Sequence, residues 1–337
     1  MNSKIAIVGS GFGMYCLLPA FSRINECEVV SICGKNSERM TDFCKKFNVK
    51  QYTNWKEMLQ KEKPNAVAIA VIPQNQYEIA KYALENDIAV FAEKPLTTSL
   101  DTSITLNNLA KKRGLPNMMD FLFTEIPEWL ETKKIVESGS LGEILGIDVN
   151  WTFLSYDLKN NLKSWKTDIK QGGGALSLVF SHTLYYLEYF LGSIRQIQCK
   201  IFSSEKSLNN GDTEIDMTFV FNKECLGHAH LDISESNSNH TITFRGEKGN
   251  MILQNSSESF VDNFELIIKT NNESQKIKPG KSLNVFDTED DTRIKVIEPI
   301  ARRFINWCNS GIVSKPDFQD GTRVQELIET SRNNSIL

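Results

Sequence analysis

The sequence lacks most of the features that tie a chain to a membrane or to nucleic acid. Its formal net charge over 337 residues is only −4, so no basic excess favours a polyanionic partner. The longest apolar runs, such as residues 66–72, have the length of a strand and fall far short of a bilayer span. No charged-then-apolar leader is seen, because the first residues enter a predicted strand at once. We therefore expect a cytoplasmic protein that binds a small molecule rather than nucleic acid or a membrane.

The chain also lacks the spacings of a metal or disulfide framework. Its seven cysteines are scattered without a Cys-x-x-Cys pair, which is typical of reduced, mostly buried thiols. His228, His230 and Asp232 alternate on one predicted strand and so share a face, which makes a metal site one interpretation. Polar residues on an exposed or dimer-forming sheet face explain them more simply, since no further ligand is evident. We predict no bound metal.

What the chain does contain is a strand, a glycine turn and a helix at its start. An apolar β-branched run that follows Lys4 ends at residue 8, and residues 14–23 are predicted to form a helix. Between them, Gly9 can take the backbone angles of a tight turn, and Gly11 has no Cβ to keep a pyrophosphate away. The third small residue of the fingerprint comes one position early, at Gly13, and Met14 occupies the usual place. We predict that a dinucleotide binds here, at Gly9, Gly11, Phe12 and Gly13.

The end of the second predicted strand, residues 28–33, indicates which dinucleotide is bound. The position that would carry a ribose-binding carboxylate is Gly34, and Lys35, Asn36 and Arg39 follow it. Without a carboxylate to repel a 2′-phosphate, and with cations at hand, the pattern favours NADP(H), with NAD(H) as the alternative. The competing interpretation is that the cations are ordinary solvated residues.

Alternating strands and helices over the first 120 residues predict an α/β fold with a doubly wound parallel sheet, a Rossmann domain spanning residues 1–122. In that pattern, strands at 51–52, 66–71, 88–92 and 117–123 follow the first two. From residue 123 to residue 337 the pattern changes to an α+β domain with an open, mostly antiparallel sheet. Its strands are predicted at 144–153, 194–203, 213–222, 225–233, 240–246, 250–254 and 263–269.

Several motifs, in this order, resemble the Gfo/Idh/MocA superfamily of glucose-fructose oxidoreductase and inositol dehydrogenase relatives. They include the Gly9–Gly13 loop, Pro73 after the fourth strand, Glu93-Lys94-Pro95, Trp165-Lys166, the glycines at 172–174, His182, and residues 318–324 near the end. The resemblance covers nearly the whole chain. It implies reversible NAD(P)-dependent oxidation of a sugar or cyclitol hydroxyl, cofactor contacts from Pro73 and Glu93, and a homodimer or homotetramer built on the open sheet.

Lys94 and His182 are the candidate catalytic residues. Lys94 ends a parallel strand, where its ammonium can bind cofactor and stabilise negative charge on a reacting oxygen. The resemblance implies that His182 shares the proton transfer with a nearby Asp. At the two acidic positions of the family, however, this chain has Leu178 and Tyr185. Either Lys94 and His182 manage the proton with help from tyrosines or water, or catalysis has been lost; a core role for His182 is the structural alternative.

The substrate site is predicted to include Trp165, Lys166, Tyr185 and Tyr186. The resemblance implies that Trp165 and Lys166 face the substrate, although Lys166 could equally be a solvated loop cation. The leading hypothesis is hydride transfer between the nicotinamide C4 and a secondary alcohol or ketone of a sugar derivative. Two alternatives remain: a nucleotide-binding sensor on the same fold, and a reductase of a non-sugar substrate.

Overall fold

The structure is a computed structural model that describes residues 2–204, 207, 209–222, 225–270, 273–279 and 291–335. The chain divides into two compact units. The first comprises Met1–Leu122 and Asn284–Gln325, and the second comprises Phe123–Leu283 and Glu326–Leu337. The sequence predicted one division after residue 122 and gave no sign that residues 284–325 belong with the first unit.

The first unit is built on a six-stranded parallel sheet. Its strands are β1 (Ser3–Val8), β2 (Cys27–Cys33), β3 (Lys50–Tyr52), β4 (Ala66–Ile69), β5 (Ala89–Ala92) and β6 (Asn117–Met119). They lie in the order β3-β2-β1-β4-β5-β6, so the chain winds outward in both directions from β1. The parallel, doubly wound sheet confirms the predicted fold class.

The helices of this part of the chain begin and end at residues that favour caps. They are α1 (Leu18–Ser22), α2 (Glu38–Phe47), α3 (Trp55–Glu62), α4 (Pro73–Glu85) and α5 (Leu100–Arg113), and a π-helical turn at Gly13–Leu17 precedes α1. The Ser37 hydroxyl accepts from the Met40 N–H at the start of α2, and Ser99 accepts from Thr102 at the start of α5. Gly114 ends α5 with a positive φ of 63°. No helix in the described ranges has both the length and the apolar content needed to cross a bilayer.

Residues 291–325 join the first unit through apolar packing. Within them, α9 (Ile294–Ser310) buries Phe304 against Phe21 and Phe91, with ring centroids 6.4 and 5.7 Å away. The last helix, α10 (Phe318–Asn333), starts in the first unit and ends in the second. Its Phe318 N–H donates to the Asn117 side chain at 2.8 Å. These contacts explain why a segment distant in sequence completes the first unit.

The second unit has an eight-stranded sheet. Its strands are β7 (Ile144–Leu154), β8 (Ile194–Phe202), β9 (Glu214–Phe221), β10 (Leu226–Asp232), β11 (Ser234–Gly246), β12 (Gly249–Asn255), β13 (Glu265–Lys269) and β14 (Ser274–Ile277). They lie in the order β14-β13-β12-β11-β7-β10-β9-β8, and every neighbouring pair is antiparallel except β7 and β10. The predicted open, mostly antiparallel sheet is thereby confirmed.

Helices in this unit bring large aromatic side chains into its core. They are α6 (Pro127–Ser138), the short α7 (Tyr156–Lys159), and α8 (Ser181–Leu191), which a π-helical turn at Leu176–Phe180 precedes. Trp129 of α6 packs against Tyr186 and Phe190 of α8, with ring centroids 4.8 and 5.8 Å away. Phe190 in turn contacts Phe244 on β11. Buried residues largely alternate with more exposed ones along β8 and β9, because successive side chains of a strand point to opposite faces of the sheet.

Two predicted strands end earlier than expected. The strand predicted over 66–71 ends at Ile69, and the one predicted over 117–123 ends at Met119. Apolar residues continue after Ile69 and resume at Phe121 after Asp120, but Leu122–Glu125 forms a 3-10 turn instead of a strand. Apolar composition alone could not distinguish this buried turn from a longer strand.

Candidate active site

The glycine turn after β1 is shaped by close contact with β4. Gly9 has a φ of +135°, and a Cβ there would lie 2.1 Å from the Ala70 carbonyl oxygen, so only glycine fits. A Cβ on Gly13 would lie 3.2 Å from the Ile7 side chain and 3.5 Å from Ala70. Gly13 therefore provides the close packing of helix on strand that the fingerprint assigns to its third position. The neighbouring Met14 is buried.

Gly11 differs from these two glycines because it faces open space. Within the part of the chain that the structure describes, no atom lies within 4 Å of a Cβ placed on Gly11. This is the position where a pyrophosphate must approach the backbone, next to the start of a helix. The turn therefore fits a dinucleotide.

The end of β2 lies beside the glycine turn. A Cβ on Gly34 would lie 2.5 Å from the Ser10 side chain, which explains a glycine where a carboxylate is common. The Lys35 N–H donates to the Ser10 hydroxyl at 3.4 Å, and the Asn36 amide oxygen accepts from Gln51. Arg39 donates to the Tyr15 hydroxyl, and its guanidinium lies 5.7 Å from the centroid of that ring. Lys35, Asn36 and Arg39 are exposed and held close to the turn.

The Glu93-Lys94-Pro95 turn follows β5 at the same edge of the sheet. Gln76 on α4 donates its side-chain N–H to the carbonyl oxygens of Glu93, Pro95 and Leu96, at 2.6, 3.1 and 3.0 Å. Pro73 starts this helix one turn earlier, where its fixed φ suits the first helical position. Sequence reasoning missed Gln76, although its position one turn after Pro73 was visible.

Arg293 connects this turn with the glycine turn. Its guanidinium lies 4.9 Å from the centroid of the Phe12 ring, and it donates to both oxygens of Asp291, at 2.9 and 2.6 Å. The positive charge of Arg293 also acts on the Glu93 carboxyl and favours its ionised form. Nothing in the sequence near Arg293 could have predicted this role, because about 200 residues separate it from Glu93.

In the second unit, His182 lies one residue into α8 with only 7% of its surface exposed. Its ring makes an edge contact with Phe123, with centroids 4.9 Å apart. Leu178 and Tyr185 lie at the two positions where the family resemblance implied acidic residues, and both are half-buried. The Tyr185 ring stacks on Tyr189.

Tyr186, predicted to line the substrate site, is fully buried. Its hydroxyl accepts from Thr183 at 3.1 Å and lies 3.2 Å from His240 Nε2. The His240 ring stacks on Trp151, with centroids 4.2 Å apart, and burial lowers the pKa of His240 to about 3. The structure thus places Tyr186 in the core instead of on a pocket wall, because its hydroxyl satisfies a buried histidine.

The glycines at 172–174 hold the Trp165-Lys166 backbone close to the helix that carries His182. A Cβ on Gly173 would lie 2.1 Å from the Trp165 carbonyl oxygen, and Gly174 donates its N–H to the Lys166 carbonyl at 2.8 Å. The Trp165 side chain is half-buried and that of Lys166 is exposed. The run of glycines is therefore required by backbone packing.

Asp212 anchors the start of the same helix, and sequence reasoning missed it. Its side chain accepts from the Leu176 N–H at 2.6 Å and from the Arg332 guanidinium at 3.2 Å. Arg332 also donates to the Ser177 hydroxyl. A Cβ on Gly174 would collide with Asp212, at 2.4 Å. The Asp212 side chain is 1% exposed, so this ion pair is buried on one side.

The histidines on β10 are held by an aspartate of the next strand. Asp216 accepts from both His228 and His230, at 2.7 and 3.2 Å. Burial opposes ionisation of Asp216, but the two hydrogen bonds outweigh it and lower the pKa of the carboxyl. Asp232 instead accepts from Ser234. Oxygen and nitrogen atoms of Glu214, Asp216 and His230 lie within 4.8 Å of one another, without further evidence of a cation.

A parallel sheet of this strand order, with a glycine turn after its first strand, defines a dinucleotide-binding protein. Two family models match the chain: an oxidoreductase family, NAD-binding Rossmann fold, over residues 3–121, and its C-terminal alpha/beta domain, over residues 133–334. The chain belongs to the Gfo/Idh/MocA family of oxidoreductases, as the motifs indicated. The predicted enzyme class and the nicotinamide dinucleotide cofactor are confirmed with it.

Individual relatives agree with this assignment. An uncharacterized oxidoreductase of Synechocystis sp. is 24% identical, and the alignment covers 98% of this chain and 93% of the relative. A levoglucosan dehydrogenase in complex with NADH and levoglucosan has a similar fold, with a TM-score of 0.86 and 18% identity over 99% of this chain and 97% of its own. A 3-ketoreductase from Actinomadura kijaniata, in complex with NADP and TDP-benzene, gives a TM-score of 0.83 and 19% identity over 99% and 98%.

Proposed function

We propose that this protein is an NADP(H)-preferring oxidoreductase that interconverts a secondary alcohol and a ketone on a sugar or sugar derivative. The observation that carries the proposal is the position of Lys94, at the carboxyl edge of the parallel sheet that also holds the glycine turn. Ligands of open α/β sheets bind at this edge. The similar folds crystallised with levoglucosan and with a TDP-linked ligand support a sugar substrate.

Lys94 is proposed as the main polar group on the reacting oxygen. When bound, the nicotinamide supplies or accepts the hydride. In the reducing direction, the Lys94 ammonium hydrogen-bonds the carbonyl oxygen, stabilises its growing negative charge and donates a proton to it. In the oxidising direction the amine takes the hydroxyl proton back. Gln76, which holds three carbonyl groups of the 93–96 turn, keeps this lysine at the end of β5.

His182 is proposed as the proton partner in this reaction. Its low exposure and its contact with Phe123 limit the orientations of its ring, which suits proton transfer at a defined atom. Trp165, Lys166 and Tyr185 are proposed to contact the sugar. Tyr186 is omitted, because its hydroxyl is used inside the core.

The preference for NADP(H) is proposed from the end of β2. Gly34 leaves no carboxylate to repel a 2′-phosphate, and the exposed Lys35 and Arg39 offer positive charge beside the glycine turn. Arg39 is already oriented by Tyr15, so less side-chain entropy would be lost when it binds a phosphate. We also propose a cytoplasmic homodimer or homotetramer, and residues 1–122 and 123–337 as the cofactor and substrate domains.

The first experiment is a titration of the purified protein with NADPH and NADH, followed by a panel of sugars, sugar phosphates and nucleotide sugars. We expect tighter binding of NADPH and a change of nicotinamide absorbance with one class of the panel. If the cofactor binds but no panel member changes its redox state, the sensor alternative replaces the enzyme. If only non-sugar ketones are reduced, the sugar part of the proposal is wrong.

A further inference from the structure

Glu93 and Asp120 follow neighbouring strands at the carboxyl edge of the first sheet. Ala92 of β5 is the register partner of Met119 of β6, so the two acidic residues come directly after a paired position. The Asp120 N–H donates to the Ala92 carbonyl at 2.9 Å, which fixes the backbone there. The Asp120 side chain is almost fully buried, with 1% of the residue exposed. The proposed function gives Asp120 no role.

Three carboxyl oxygens of this pair are buried and lack a hydrogen-bond donor among the residues that the structure describes. They are Glu93 Oε1, Asp120 Oδ1 and Asp120 Oδ2. Only Glu93 Oε2 has one, the main-chain N–H of Lys94 at 3.2 Å. A buried acceptor without a donor is costly, above all on a charged group. A proton on one carboxyl would supply the missing donor, because its O–H can then be donated to the other carboxyl.

Among the residues that the structure describes, the charges around the pair leave no counter-ion for a second carboxylate. Lys94 and Arg293 are the cations whose charge acts on both Glu93 and Asp120. Arg293 is held by two hydrogen bonds from its guanidinium to Asp291. If Glu93 and Asp291 are ionised, their two negative charges already balance the two positive charges of Lys94 and Arg293. A further titratable neighbour in the described ranges is the Cys16 thiol, and burial raises its pKa, so it stays neutral.

Asp120 is the member of the pair that holds the proton. Burial, the charge of Glu93 and a hydrogen bond to Glu93 all raise the pKa of Asp120 well above its usual value. Burial also raises the pKa of Glu93, but the hydrogen bond from Asp120 and the charge of Lys94 act against that rise. Two interacting carboxyl groups of this kind titrate as a pair, in which the first proton is held firmly.

We propose that Asp120 is a neutral carboxylic acid in the folded protein, that it donates its proton to Glu93 Oε1, and that it thereby acts as a positioning residue for the Glu93-Lys94 turn. Only the positioning role rests on the proposed function, because the position of the Glu93-Lys94 turn matters for catalysis only if Lys94 is catalytic. The protonation itself concerns the free protein.

The proposal predicts the sign of a pH effect on stability. The unfolded chain releases the Asp120 proton near pH 4, whereas the folded chain keeps it at higher pH. Above pH 4 the folded state therefore holds more protons, so the contribution of Asp120 to stability falls as the pH rises towards the pKa of the folded protein. An ionised, ion-paired aspartate would instead make stability rise with pH below about pH 4 and would give no slope above it.

The test compares the wild-type protein with Asp120→Asn and Asp120→Ala in urea unfolding between about pH 5 and about pH 8. Asn keeps a neutral donor of the same shape but cannot titrate. We expect the unfolding midpoint of Asp120→Asn to rise relative to the wild type as the pH increases. A midpoint difference that is independent of pH, or that changes in the opposite direction, overturns the proposal, and so does an Asp120→Asn protein that cannot fold.

Two further measurements separate protonation from a merely structural role. The infrared band of a protonated carboxylic acid should be present in the wild type at neutral pH and lost in Asp120→Asn; its absence from the wild type overturns the proposal. NADPH affinity should weaken about tenfold in Asp120→Ala, which leaves Glu93 Oε1 without its donor, and recover in Asp120→Asn. Equal weakening in both variants contradicts the positioning role. Failure of the proposed enzyme activity would leave the pH slope and the infrared band unchanged.

Discussion

The two units bury polar groups in different ways. In the first, Glu93 and Lys94 follow β5 at one sheet edge, beside the Asp120 carboxyl, and the charges of Lys94 and Arg293 favour the ionised form of Glu93. In the second, His240 is enclosed by aromatic rings, with a tyrosine hydroxyl as its hydrogen-bond partner. The comparison teaches that a sheet edge can keep several charges close to one another, whereas an aromatic core accepts a titratable ring only in its neutral form.

The strongest test of this difference between the two units is to remove the charge of Lys94 at the sheet edge. We expect Lys94→Ala to lower kcat/KM by about 10²–10⁴-fold, because a positioned acid–base group contributes that much. NADPH affinity should change far less. Steady-state kinetics on the substrate found by the panel would measure this, with Lys81→Ala as the control, since Lys81 is a half-buried lysine on α4 that pairs with Glu85. Full turnover by Lys94→Ala would refute the catalytic assignment.

The next largest effect is expected in the second unit, at the buried end of an ion pair. Asp212→Ala should lower the free energy of unfolding by about 3 kcal/mol, because Arg332 and the Leu176 N–H both lose their acceptor. Denaturant unfolding measures it. Asp148→Ala is the matched control, since it breaks an exposed pair with Arg245 and should cost less than about 1 kcal/mol. Similar losses in both variants would contradict the argument from burial.

His240 provides a pH test of the aromatic core. Its pKa is about 3 in the folded protein and about 6.5 in the unfolded chain, so only the unfolded state is protonated between these values. Stability should therefore fall as the pH drops below about 6.5, by up to about 1.4 kcal/mol per pH unit. His240→Phe keeps the ring on Trp151 and should remove this part of the slope. The same acid loss in both proteins would argue against a neutral buried histidine.

The smallest expected effect concerns cofactor choice at the sheet edge. Arg39→Ala should weaken NADPH binding about tenfold and leave NADH binding nearly unchanged, because the guanidinium is proposed to hold the 2′-phosphate. Fluorescence titration with both cofactors gives the ratio. Lys45→Ala removes an exposed cation from the far end of the same helix and serves as the control. Equal weakening of both cofactors would assign Arg39 another role.

The sheet edge could largely be predicted from the sequence. In a parallel sheet, consecutive strands deliver their carboxyl ends to one place, so a glycine turn after β1 and a lysine after β5 are neighbours by topology. The same rule could have found Asp120, an acidic residue near the end of a predicted strand, had that strand been ended at Met119. Because the predicted strand was extended to residue 123, Asp120 was treated as part of the strand and not as a residue at its end.

The surroundings of His182 could not be predicted in this way. Its contact with Phe123, and the link between Asp212 and Arg332 at the start of its helix, join residues from 59 to 120 positions apart. Such contacts depend on the packing of particular side chains, and the hydrophobic periodicity of the local sequence does not reveal that packing. The burial of Tyr186 likewise follows from His240 on another strand.

The two π-helical turns, Gly13–Leu17 and Leu176–Phe180, limit where residues can be inserted or deleted in this chain. A π turn holds one residue more than an α turn, so it turns everything after it by roughly 100° relative to an unbroken α-helix. A one-residue deletion within 176–180 would restore the regular helix and rotate His182 away from Phe123, with no substitution at either residue. Insertions and deletions in these two turns should therefore be rarer in evolution than in the surface loops.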